Sequence, residues 1–290
     1  MFGKTIAPVR PSPIAGQWYP ARPQALAALV DGYLAAAADD LPPLEGEVVG
    51  LVAPHAGIQY SGPVAGYAFA AVRGRAPEVV AVLSPMHYPY EAPLLTTAHE
   101  AYATPLGEVP VAHDLLETWE AGVRRRGGGA FRRVANDPEH ALEMELPFLQ
   151  RALAAPFELL PLMMRDYRPE TCRAVGEALA ETLAGRPALL VASSDLSHYY
   201  PETVARPLDE EMLRRVASLA PVAVLQAEAE GVGFACGAGP IAAVLWAARA
   251  WGARQAVVLK RASSGDVTGD YSAVVGYGAV AVLRPAPSRV

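Results

Sequence analysis

Four short segments of the chain carry side chains able to hold a cation or move a proton. APHAG supplies His55, SPMHYPY supplies His87, SSDLSHYY supplies Asp195 and His198, and GFACGAGP supplies Cys236. Imidazole nitrogen and thiolate sulfur are donors for zinc, iron and copper. Aspartate and histidine can take and return protons near neutral pH when their surroundings tune them. A single histidine at the end of a buried strand is ordinarily a core residue with both ring nitrogens hydrogen-bonded. Here three of the six histidines follow directly on strand-like apolar runs, a coincidence that one site at a common sheet edge explains.

The neighbouring residues extend this set. Asp195 and His198 are three apart, so in a helical turn both project to the same side. The simpler alternative is that Asp195 caps a helix, with Ser193 and Ser194 beside it as further capping types, and that His198 faces solvent. The segment EHALEMELPF places His140 and Glu143 three apart, facing one way as a support or proton-transfer pair, with Glu145 just beyond. Cys236 precedes a glycine-rich entry into an apolar helix, where backbone amides would favour a thiolate. Cys172 falls within an amphipathic helical pattern and reads as a small buried apolar residue.

The elements that must position these groups are legible as alternating runs. Strand-like stretches lie at 47–54, 78–85, 157–164, 188–194, 254–262 and 272–283. Helical patterns lie between them at 23–38, 63–74, 112–123, 140–153, 169–185, 207–220 and 239–252, several ending in glycine. Near-continuous apolar strands alternating with helices predict an α/β fold, a single domain over 1–290 with a mostly parallel or mixed central sheet flanked by helices. In such sheets ligands bind beyond the carboxyl ends of the strands, where the histidines fall. Residues 93–112 break the pattern and suggest a hairpin or a short antiparallel excursion. The basic stretches VRRRGGG and RRVANDPE read as a solvated loop.

Composition narrows the function classes. Hydrophobic residues form 52% and charged residues 19% of 290 positions, which suits a globular chain rather than a disordered one. Net charge is −6, with 24 basic and 30 acidic residues dispersed, so neither nucleic acid nor an anionic membrane is an expected partner. An oligomer is compatible with the sequence. Two cysteines without a CxxC pair give no disulfide framework, and the absence of a signal-like or spanning apolar run predicts a cytoplasmic protein. No GxGxxG, P-loop, HExxH or GxSxG motif is present.

Seven blocks in order, AGQWYP, APHAGIQYSG, SPMHYPY, TPLGEVPV, EHALEMELPF, SSDLSHYY and CGAGPI, resemble the Memo family, whose bacterial and archaeal members are often called AmmeMemoRadiSam system protein B. The resemblance implies a fold similar to class III extradiol dioxygenases, which hold non-haem Fe(II) with two histidines and a carboxylate. His55 and His87 match the two histidines. Cys236 stands in the third position as a thiolate in place of glutamate, which favours zinc or copper(I) while still admitting iron. Asp195 and His198 then lie beside the metal as groups that support the ligands or act as acid and base, and Trp18 and Tyr19 serve as pocket wall or packing.

The resemblance also implies operation alongside radical SAM system proteins. Three functions are thus expected from the sequence. The first is a metal-binding, redox-active protein acting on or with a small molecule. The second is a vestigial-site module that binds a peptide or protein. The third is a metal-assisted hydrolase with Asp195 or His198 as base.

Overall fold

Runs of valine, leucine and alanine form strands because branched side chains pack well on a pleated surface, and here they are covered from both sides. The computed structural model describes residues 7–286. Its elements are β1 (Val9–Arg10), α1 (Pro23–Ala38), β2 (Glu47–Ala53), α2 (Ile58–Ala70), β3 (Val79–Pro85), β4 (Leu94–Thr97), β5 (Ala101–Thr104), β6 (Gly107–Pro110), α3 (His113–Arg125) and β7 (Arg132–Val134). A 3-10 turn (Glu143–Glu145) then leads into α4 (Leu146–Ala152), β8 (Glu158–Met164), α5 (Pro169–Thr182), β9 (Ala188–Ser193) and β10 (His198–Tyr200). The chain closes with α6 (Glu202–Ala217), α7 (Pro221–Ala229), α8 (Ala238–Ala250), β11 (Gln255–Ser263), α9 (Gly265–Thr268) and β12 (Val274–Arg284).

The main sheet has nine strands in the order β10-β12-β2-β9-β3-β8-β4-β7, with β11 on the other side of β12. Its centre, β2, β9, β3 and β8, is parallel. β12 is antiparallel to β2, and β4 is antiparallel to β8. The sheet is therefore mixed around a parallel core. All seven residues of β3 are buried, as expected for a central strand with helices over both faces. α8 packs on β9, β3 and β2 with α5 against it, while α2 packs on β2, β11 and β12 with α1 against it.

The irregular segment 93–112 does two things. β4 joins the main sheet beside β8, and β5 and β6 form an antiparallel hairpin that β1 extends to a three-stranded sheet. The reading of RRVANDPE as a solvated loop needs correction. Its first three residues are β7, paired to β4, and its Asp137 and Glu139 are buried.

Two helices also start five residues earlier than their proline suggested. α2 begins at Ile58 and α6 at Glu202, carrying Pro63 and Pro207 inside. At the sixth position of its helix each ring removes one i→i−4 hydrogen bond and crowds the carbonyl four residues back, a cost that the tertiary packing of the two helices offsets. The run 140–153 is not one helix, because Pro147 stands in the first turn of α4 and the 3-10 turn precedes it. α7 was not expected, since its apolar residues lack a helical repeat.

Candidate metal centre

The parallel strands deliver their carboxyl ends to one edge. Two residues past β2 is His55, two past β3 is His87, and two past β9 is Asp195. Cys236 arrives on the turn before α8. Gly237 makes that approach feasible, since a Cβ there would lie 2.4 Å from the carbonyl oxygen of Ser193. One donor atom each from His55, His87 and Cys236 lies within 4.8 Å of the others. Cys236 Sγ is 3.3 Å from His55 Nε2, and the rings of His55 and His87 lie edge to face with centroids 5.4 Å apart.

Each imidazole is held by its other nitrogen. His55 Nδ1 is 2.8 Å from Ser193 Oγ, and His87 Nδ1 is 3.0 Å from Glu139 Oε1. Such outer partners fix tautomer and ring direction, leaving Nε2 for a cation. Ser193 in turn is 2.8 Å from the carbonyl of Ala141 and 2.5 Å from Glu145 Oε1. Glu139 accepts the amides of His87, His140 and Ala141 as well. His87, Glu139 and His140 also have donor atoms within 4.8 Å, but Oε1 of the carboxylate there already faces His87 Nδ1 and two backbone amides and Oε2 accepts the His87 amide, contacts that orient His87.

Burial pushes His55 down to about 3, helped by the nearby His87. It pushes His140 down to about 4, helped by His55. Both are neutral imidazoles at pH 7, the form that binds metal. Burial would lower His87 too, but the hydrogen bond and charge of Glu139 outweigh it and raise it. Glu139 itself is held down to about 2, its burial overcome by His87 and the backbone amides. The thiol of Cys236 departs from expectation. Burial, then the Asp195 carboxylate, push it up rather than down, although the Asp195 amide points at its sulfur from 3.3 Å. A cation is what would draw off that proton.

Asp195 and His198 do not share a helical turn, because residues 194–197 are irregular and His198 opens β10. Asp195 Oδ1 instead accepts the amides of His55 and Ala56 at 2.8 and 3.3 Å, fixing the turn that presents His55. Its Oδ2 is 4.0 Å from His55 Nε2. His198 stacks edge-on to Phe234, and its Nδ1 is buried without a partner among the described residues. Burial raises Asp195 and lowers His198, so both lean toward their neutral forms.

The pair His140 and Glu143 is also divided. His140 stacks on His87 at 4.9 Å and on Trp18 at 4.0 Å. Glu143 turns instead to Arg10, Ser12 and Tyr19, because the intervening 3-10 turn does not keep helical phase. Trp18 packs against His140 and, with Tyr19, also lines a separate cavity of about 470 Å³ that includes Gln17, Leu29, Gln59 and Tyr60 and none of His55, His87 or Cys236. Tyr19 is buried packing, and Cys172 is buried in α5.

The Memo-like protein family pattern matches residues 10–281. The chain belongs to the Memo family. It is 35% identical over 279 residues to a MEMO1 family protein of Methanopyrus kandleri, covering 93% of this chain and 98% of that one. It is 31% identical over 278 residues to one of Nitrosopumilus maritimus, covering 94% and 98%. A third, from Methanosarcina mazei, is 33% identical over 276 residues, covering 94% and 99%. In this Memo family chain the residues that sequence reasoning passed over are Glu139 and Ser193, the groups that hold the two imidazoles. In the sequence Ser193 reads as a capping residue and as no hydrolase nucleophile, and Glu139, which ends RRVANDPE and opens EHALEMELPF, carries no role of its own. A carboxylate one residue before His140 was the available signal.

Proposed function

We propose that this protein is a metal-binding, redox-active protein that acts on or with a small molecule, with His55, His87 and Cys236 as the ligands. The supporting observation is that one donor from each lies within 4.8 Å of the others at the carboxyl edge of the sheet, with both Nδ1 atoms engaged elsewhere. Two neutral-capable imidazoles and one thiolate leave coordination positions open, as a reactive centre needs. Fe(II) is the first choice from the resemblance to the dioxygenase donor set, and the thiolate makes zinc and copper(I) the alternatives. A bound iron would supply one-electron chemistry and a place for a small ligand.

The chain's own residues do the rest. Asp195 and His198, leaning neutral beside the donors, hold and return protons to the reacting molecule. Trp18, stacked on His140, walls the approach. The reading includes work alongside a radical SAM partner in the cytoplasm. No described helix is long and apolar enough to cross a membrane.

Anaerobic purification followed by metal analysis tests it. The protein is expected to carry Fe, Zn or Cu at close to one per chain. Iron or copper should give a thiolate charge-transfer absorption that C236S removes and that zinc never shows. Uptake should be lost in the double variant H55A/H87A. A wild-type protein that takes up none of these metals, or a double variant that takes them up unchanged, overturns the proposal.

A further inference from the structure

Behind His55 lies a carboxyl group that the proposed chemistry does not use. Glu145 is fully buried at the end of the 3-10 turn. Its Oε1 meets Ser193 Oγ at 2.5 Å, and its Oε2 has no partner among the described residues. Among the described residues no arginine or lysine is paired with it, while the Asp195 carboxyl is near enough to raise its pKa further.

Hydrogen counting on Ser193 decides the state of this group. The hydroxyl oxygen has three neighbours at bonding distance: His55 Nδ1, the Ala141 carbonyl oxygen and Glu145 Oε1. It owns one hydrogen and two lone pairs. The Ala141 carbonyl can only accept. If Ser193 donates to it, both lone pairs must meet donors, which are Nδ1–H of His55 and an O–H on Glu145. With Glu145 ionised, one hydrogen would face two acceptors, one buried contact would be oxygen against oxygen, and an unpaired charge would sit in the interior.

We infer that Glu145 is an uncharged carboxylic acid that donates its proton to Ser193, so that His55 is backed by a neutral chain while His87 is backed by the Glu139 carboxylate. The two imidazoles are then unequal donors. An anionic partner on Nδ1–H makes Nε2 of His87 the more basic, and a hydroxyl leaves Nε2 of His55 the weaker. Glu145 is a positioning residue, two contacts removed from the donor atom. Its protonation stands on the hydrogen-bond count alone. The inequality of the ligands rests on the metal-binding reading.

Two measurements test this on the full chain. In metal-free protein at pH 7, infrared difference spectra of wild type against E145Q should show a protonated-carboxyl band that shifts in heavy water and is missing from the variant. Cobalt(II) titration should give wild type and E145Q affinities within about 2-fold, since the carboxamide keeps a neutral donor, whereas E139Q should weaken binding by about 10–100-fold. No wild-type band attributable to Glu145, an E145Q loss as large as that of E139Q, or an E145Q chain that does not fold each overturn the inference. If wild type takes up no cobalt(II), the metal reading fails, and the infrared comparison still decides the state of Glu145.

Discussion

Arg10 shows how much of the site is held from behind. Its guanidinium is buried and reaches Asp137 through both Nε and Nη2, the Glu143 carboxylate through Nη1, and the backbone carbonyls of Asp137 and Glu139 through Nη2. The residue that orients His87 is thus anchored by a cation near the start of the chain. Removing one partner of a buried ion pair leaves the other uncompensated, at a cost of about 3–5 kcal/mol. R10M should therefore lower stability by about that amount in urea unfolding, and a loss below about 1 kcal/mol would show the pair to be solvent-screened. The types His55, His87, Asp195 and Cys236 were legible because they end strands or open a helix. Asp137, Glu139 and Glu145 were not, because a buried carboxylate and a solvated one look alike until the cation or hydroxyl that satisfies it is placed.

At the scale of elements, the decisive device is the close contact between the end of β9 and the turn before α8. Gly237 donates its amide to Ser194 Oγ at 2.9 Å, and Cys236 donates its own to the Asp195 carbonyl at 3.2 Å. G237A would force a methyl into the Ser193 carbonyl, and overpacking of this kind costs about 1–3 kcal/mol. The expected result is a lower melting temperature together with weaker metal uptake, because the same shift carries Cys236 away from His55. Unchanged uptake in G237A would mean that the turn does not set the sulfur position. The parallel centre was readable from apolar runs ending in histidine or aspartate. The edges were not: β4, β7 and the hairpin β5–β6 are short, and the charge of RRVANDPE masked β7. Periodicity also misplaced the starts of α2 and α6, where tertiary packing extends each helix past its proline.

For the molecule as a whole, the site makes metal-free protein sensitive to acid. In the unfolded chain His55 and His140 titrate near 6.5, but folded they stay neutral to about 3 and 4. Between those values the unfolded state binds more protons, so stability falls as pH drops below about 6.5. Glu139, held down to about 2, adds a further loss below its ordinary 4.5. His87, raised, works in the opposite sense, its contribution being present at low pH and fading as pH rises. Urea unfolding of metal-free protein from pH 7 to pH 4 should show the decline, and H140Q should flatten it. A slope that H140Q leaves untouched would place the acid sensitivity elsewhere. The core does not depend on the donors, so chelation should lower the melting temperature only by the linkage of a lost ligand and leave the chain folded.

That independence bears on how a cation would reach the protein in a cell. His55 and Cys236 are 181 positions apart in the chain, and the sulfur emerges from the ribosome long after the first imidazole. A nascent polypeptide offers no complete trap, in contrast to the tightly spaced ligands of a zinc finger. A cation held by the proposed ligands would load after folding, and its identity would then depend on which metal pool the finished protein meets.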